Sequence, residues 1–220
     1  MSRDFKLVDV SHTVEHEMIT YKGLPGPVIT DYLTREQSKT RYAEGTEFHI
    51  GKIEMVANTG TYLDTPFHRY ARGKDLAHLD LYSIANLDGI VVRCLEATEI
   101  TEHAFEGLDV KDKAVLIHTG WDKHWRTDEY SNGNHPYLTE SAAAYLAKNA
   151  ATLVGIDSFN IDATRDGTRP AHTVLLGHDI PIVEHLCGLA ELPDRGFRFF
   201  AVPVKVRQFG TFPVRAFGII

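Results

Sequence analysis

The chain has 220 residues, 43% of them hydrophobic and 24% charged, with a net charge of −7. This length and composition allow a full apolar core without disulfides or a structural metal, and the acidic balance, with no clustered Lys/Arg stripe, argues against nucleic acid as a partner. Two cysteines, Cys94 and Cys187, are too few for a disulfide framework, no apolar run approaches a membrane span, and the N-terminal Met-Ser-Arg-Asp-Phe-Lys-Leu-Val has no signal-peptide h-region, so a cytoplasmic location is expected.

Residues 6–12 (Lys-Leu-Val-Asp-Val-Ser-His) nearly alternate and predict a first strand. Residues 20–47 hold Gly23, Pro25, Gly26 and Pro27 among many polar residues. They predict a long irregular segment of the kind that forms binding loops or lids. Residues 49–57 alternate again and predict a strand feeding residues 58–68. The β-branched runs 90–95 and 113–118 predict buried strands, the second leaving through Thr119-Gly120-Trp121. An aromatic and polar loop follows, to Tyr137. Thr139 is a predicted helix N-cap before Glu-Ser-Ala-Ala-Ala-Tyr-Leu-Ala-Lys, a strong helix former. Residues 152–157 predict another strand. Residues 172–185 predict a short helix, a turn at 179–181 and a further short element, and 197–205 and 211–220 two closing strands. No repeat, low-complexity segment or linker divides the chain, which reads as one α/β domain with a mixed, strand-rich core and few helices.

The chemistry concentrates in Asn58-Thr-Gly-Thr-Tyr62-Leu-Asp64-Thr-Pro-Phe-His68. A carboxylate with a neutral imidazole is a common metal-binding or acid–base pair. Pro66 between them disfavours a helical i,i+4 pair and predicts a rigid extended or turn segment. Twelve histidines in 220 residues strengthen the case for metal or proton chemistry. Downstream, His172 and Glu184 flank a helical pattern and a Pro turn, so they can converge on one site.

The segment resembles the signature H-x-G-T-H-x-D-x-P-x-H of the cyclase family of metal-dependent hydrolases, which includes bacterial kynurenine formamidases and isatin hydrolases. Gly60, Thr61, Asp64, Pro66 and His68 fall on matching positions. Leu7-Val-Asp-Val-Ser-His12, Gly73-Lys-Asp-Leu, Thr119-Gly-Trp-Asp, Val154-Gly-Ile-Asp157, His172-x-x-Leu-Leu, Ile182-Val-Glu184 and Pro213-Val-Arg215-Ala extend the likeness, in order, over nearly the whole chain. The resemblance implies a single cyclase-like domain over 1–220, a swivelling β/α/β fold with a mixed sheet or barrel-like core. It implies one divalent cation (Mn²⁺, Zn²⁺ or Mg²⁺) on Asp64, His172 and Glu184. Asn58 and Tyr62 stand where the family places two further histidine ligands. His68 matches the family's catalytic histidine, the general acid/base. Tyr62 and Asn58 are then expected as hydrogen-bond donors to an oxyanion.

The implied activity is metal-dependent hydrolysis of an amide, lactam or lactone of a small cyclic or aromatic molecule, by a chain acting as a homodimer or homotetramer. A lyase or dehydratase on the same scaffold, or a family member that binds without catalysis, is the alternative. Tyr21, Phe48, Phe67, Trp121, Trp125 and Tyr137 are candidate pocket walls, and His12, His118 and His135 lie at strand exits or loops where such sites cluster. Neither G-x-S-x-G nor a Gly-rich phosphate loop occurs, which argues against a serine esterase or a nucleotide cofactor.

Overall fold

The computed structural model describes residues 5–165 and 167–220. Its strands are β1 (Leu7–Asp9), β2 (Val28–Leu33), β3 (Ile50–Glu54), β4 (Tyr62–Asp64), β5 (Leu87–Arg93), β6 (Glu99–Ile100), β7 (Lys113–His118), β8 (Tyr137–Leu138), β9 (Leu153–Ile156), β10 (Ile182–Glu184), β11 (Arg195–Phe200), β12 (Thr211–Pro213) and β13 (Phe217–Ile219). The α-helices are α1 (Arg35–Ser38), α2 (Pro66–Arg69), α3 (Glu140–Lys148) and α4 (Pro170–Gly177). Among the described residues, nine strands form one sheet in the order β1-β13-β11-β5-β7-β9-β10-β4-β12. Its centre, β5-β7-β9-β10, is parallel and its flanks are antiparallel.

That order forces curvature. β12 and β13 lie seven strand spacings apart, about 34 Å on a flat sheet at about 4.8 Å per strand. The chain from Pro213 to Phe217 reaches only about 14 Å when fully extended. The two ends of the sheet must therefore approach each other, and the sheet curls into a half-barrel. Val214 N bonds Thr61 O at one end of the sheet and Val10 N bonds Ala216 O at the other, both 2.9 Å, so residues only two apart in the chain belong to opposite ends. This also corrects one expectation: 211–220 is not one strand but two, because each half pairs with a different end of the sheet.

The curl separates two apolar layers. Along β7, Val115 and Ile117 point to a layer shared with Leu146 of α3 and Leu175 of α4. Ala114 and Leu116 point to the concave side, with Val8, Val10, Leu63, Val183 and Phe199. Burial on both faces explains the continuous apolar runs of the central strands. Glycine is required at Gly89, where a Cβ would lie 2.1 Å from the Phe197 ring.

The predicted helix after Thr139 is present as α3, with Thr139 Oγ1 accepting from Ala142 N. The predicted irregular segment 20–47 is only partly irregular: it contains the whole of β2 and of α1. β2 pairs with β3 in a separate two-stranded sheet, its alternation hidden behind the Pro/Gly cluster. β3 thus joins that hairpin rather than the main sheet.

Candidate metal centre and active-site cavity

Three adjacent antiparallel strands present the site. Asp64 of β4 lies opposite Ile182 of β10 and Thr211 of β12, and Tyr62 lies opposite Glu184 and Pro213. Because side chains alternate, Leu63 and Val183 enter the concave core, while Tyr62, Asp64, Glu184 and Thr211 share the other face. The motif's small residues hold this in place. Gly60 takes a left-handed φ of +64°. Thr61 Oγ1 accepts from His12 N at 2.9 Å and donates to His185 O, tying β4 to the first loop and to the end of β10.

Pro66 does not prevent a helix; it starts one. It occupies the first turn of α2, where its missing N–H costs nothing. Asp64 thus sits on a strand and His68 on the following helical turn. Two glycines set this turn: a Cβ on Gly73 would lie 2.5 Å from Pro66 C, and one on Gly210 would lie 2.6 Å from His68 N.

His172 is brought in by the first turn of α4. Asp162 accepts from Ala171 N at 2.6 Å, from His172 N at 3.1 Å and from His172 Nδ1 at 2.6 Å. One carboxylate therefore caps the helix and holds the imidazole. With Nδ1–H spent on Asp162, Nε2 faces the strands, 3.7 Å from Asp64 Oδ2 and 3.8 Å from Glu184 Oε1. Asp64 Oδ2 is buried and has no hydrogen-bond partner among the described residues. Glu184 accepts from Tyr62 Oη at 2.7 Å and from Ile161 N at 2.6 Å.

His68 stands beside this group. Thr211 Oγ1 donates to Asp64 Oδ1 and lies 2.8 Å from His68 Nδ1. A hydroxyl has one hydrogen. With that hydrogen on the carboxylate, Nδ1 of His68 is the donor to Thr211, and Nε2 carries the lone pair. Ligand atoms of Asp64, His68 and His172 all lie within 4.8 Å of one another, so His68 as well as Glu184 lies within reach of an ion held by Asp64 and His172.

The electrostatics favour a cation. Burial alone would lower the pKa of His172, but Glu184, Asp162 and Asp64 outweigh it and push it up to about 10. Burial raises Glu184 to about 7, with His172 opposing and Asp64 adding to the rise. Three buried carboxylates around one imidazole leave excess negative charge that a divalent ion neutralises. The orphaned Asp64 oxygen and the aligned Nε2 of His172 fit such an ion, with Asp162 as the outer partner usual for a ligating histidine.

The cluster opens into a cavity of about 410 Å³ whose lining includes Tyr21, Leu24, Asn58, Arg69 and Arg169. Tyr62 also reaches it but is 1% exposed. Its single hydrogen goes to Glu184, so it holds that carboxylate; burial first, then Glu184, keep the phenol protonated. The expected role of Tyr62 as an oxyanion donor is not the one this geometry favours. Of the expected pocket walls Tyr21 lines the cavity; Phe67, Trp121, Trp125 and Tyr137 are not among the lining residues. Phe48 is 52% exposed beside β3, because its segment belongs to the separate hairpin. His12 stacks on Trp125 at 3.9 Å, His118 bonds Arg93, and His135 Nε2 meets Asp162 O. Sequence reasoning missed Asp162, Asn160 and Thr211. Their relation to the site arises only from strand pairing and loop packing, and no spacing in the chain announces it.

The chain is similar to known proteins over nearly its whole length. A kynurenine formamidase of Bacillus cytotoxicus is 28% identical over 218 residues, covering 95% of each chain. One from Bacillus anthracis is 26% identical over 220 residues, 96% of each. Among solved structures, isatin hydrolase A from Labrenzia aggregata bound to benzyl benzoate superposes with a TM-score of 0.82 at 20% identity, covering 98% of this chain and 94% of that one. An isatin hydrolase bound to the product analogue thioisatinate gives 0.80 at 19% identity, covering 99% and 93%. The family model "Putative cyclase" matches residues 8–163, well over half of the chain. The protein belongs to the cyclase family.

Proposed function

We propose that this chain is a metal-dependent hydrolase of a non-peptide C–N bond, acting on an amide of a small aromatic molecule. The observation that carries the reading is the convergence of His172, Glu184 and His68 on one cavity, with buried Asp64 against the two histidines behind it. Asp64, His172 and Glu184 hold the divalent ion in this reading. An ion there supplies Lewis acidity, making water more acidic and polarising a carbonyl. His68 Nε2 takes a proton from the attacking water as its oxygen bonds to the carbonyl carbon, and returns it to the nitrogen as the C–N bond breaks. Tyr62 fixes Glu184, and Asn58 offers an amide donor at the cavity wall. The mainly carboxylate set suits Mn²⁺, Mg²⁺ or Zn²⁺. The similarity to kynurenine formamidases supports aryl formamides as the first substrates to try. We propose further that the whole of 1–220 works as one domain.

The test is turnover of formanilides by the purified protein. Activity should disappear on chelation and return with one of the three ions. A protein that binds the ion yet releases no formate with any of them would end the hydrolase reading.

A homo-oligomer also belongs to this reading. Val28, Ile29, Tyr32, Ile50 and Ile53 on the β2–β3 hairpin are all exposed, and an isolated two-stranded hairpin is marginal in water. Covering it with a second copy would explain both, and light scattering in solution decides.

A further inference from the structure

Tyr21 belongs to the loop between β1 and β2, yet it is firmly placed. Its neighbour Thr20 accepts from Gly60 N at 2.8 Å, pinning this loop to the turn of the 58–68 motif. The Tyr21 ring packs on Phe159 with centroids 4.4 Å apart and meets His185 edge-on at 5.9 Å. The hydroxyl is then met by Asn160, whose Nδ2 donates to Tyr21 Oη at 2.6 Å. Asn160 is itself held, since its Oδ1 accepts from Asp162 N at 2.9 Å.

An amide nitrogen only donates. The Tyr21 oxygen is therefore the acceptor in that bond, and its one hydrogen is left for another partner. Among the described residues no acceptor takes it. Glu184 Oε2, the nearby carboxylate oxygen, receives its hydroxyl hydrogen from Tyr62 instead. Tyr21 lines the cavity together with Asn58, His68 and Glu184, so the free donor borders the space a substrate would fill.

We infer that Tyr21 is a catalytic residue, its hydroxyl donating to the carbonyl oxygen of the scissile amide, with Asn160 as the positioning residue that aims it. The inference rests on the hydrolase reading above. As water oxygen bonds to the carbonyl carbon, the carbonyl electron pair moves to oxygen and its charge is met by the Tyr21 O–H. When the pair returns, the C–N bond breaks and nitrogen takes the proton carried by His68. Tyr21 keeps its own proton throughout. Such a donor is worth most where charge develops, so its loss should appear in kcat rather than in KM.

The experiment compares wild type with Tyr21→Phe, which keeps the ring packing and removes only the hydroxyl. Expected is a fall in kcat on formanilide of about 10²-fold and a change in KM below about threefold, at unchanged bound metal and melting temperature. Asn160→Ala should lower kcat by about tenfold by misaiming the donor, with KM and bound metal unchanged although Asn160 Nδ2 also donates to Glu184 Oε2 at 3.4 Å. Binding of an aryl trifluoromethyl ketone, whose hydrate mimics the tetrahedral oxyanion, is read by calorimetry in parallel. Tyr21→Phe should weaken it by about 10²-fold while acetanilide binding changes by less than about threefold. A wild-type kcat in Tyr21→Phe, a loss explained by missing metal or a lower melting temperature, or equal ketone affinity in both proteins overturns the inference. Should wild type turn over no formanilide at all, the hydrolase reading fails, and the ketone comparison still decides whether Tyr21 is an oxyanion donor.

Discussion

Asp162 touches no substrate in the proposed reaction, yet it orients His172, one of the proposed ligands of the ion. Its carboxylate caps α4 and orients His172 through Nδ1. Replacing it with Asn keeps the shape but loses the charge that fixes the imidazole tautomer. Asp162→Asn should weaken divalent-ion affinity by about 10- to 100-fold, as for other carboxylate partners of ligating histidines. Metal titration by calorimetry checks this, and wild-type affinity would contradict the role. At this same scale the sequence was most legible where chemistry is local. Asp64 and His68 stand out in eleven consecutive residues. Asp162, Asn160 and Thr211 are ordinary polar residues until folding places them within 3 Å or so of a partner.

Elements show a different balance. Strands β5, β7 and β9 follow from β-branched runs, and α3 from its N-cap and Ala-rich body, because burial and helix propensity are written locally. The β2–β3 hairpin was half hidden: β3 alternates openly, but β2 follows a Pro/Gly-rich stretch. In the hairpin Ile29 lies opposite Ile53, and both are exposed. If a second copy covers them, Ile29→Asp combined with Ile53→Asp should convert the protein from a multimer to single chains in light scattering. The double variant should keep the circular-dichroism spectrum of the main sheet, which does not include the hairpin. A wild-type protein already of single-chain mass would remove the premise.

Across the whole molecule, a ring cluster with His185 at its buried centre joins the first loop to the loop after β10. His185 is surrounded by Tyr21, Tyr62, Trp125, Tyr130 and Phe159, and His12 stacks on Trp125. Burial lowers the pKa of His12 to about 4, with Asp122 opposing, and holds His185 well below its ordinary value. An unfolded His titrates near 6.5. Between about 4 and 6.5 the unfolded chain binds a proton at residue 12 that the folded chain refuses, so this contribution to stability is full above 6.5 and lost as pH falls. Glu184 and Asp157, raised by burial to about 7 and about 6, act in the opposite sense, so the informative quantity is a difference. The melting temperature of His12→Phe, which keeps a ring on Trp125, should gain on wild type as pH drops from 6.5 to 4. A difference that stays constant over this range would show that His12 is not held neutral in its half-buried place.

By itself the sequence determined the family, the α/β character, the core strands and the residues able to bind an ion or move a proton. Each of these depends on residue type and short-range pattern. The tertiary structure decided the rest: the curl of the sheet, the pairing of β10, β4 and β12, and the hydrogen-bond partners that commit Tyr62 to Glu184 while leaving the Tyr21 hydrogen without an acceptor among the described residues. The physical reason is that a hydrogen bond between residues more than a hundred positions apart is set by register and loop closure, and neither leaves a local mark in the chain.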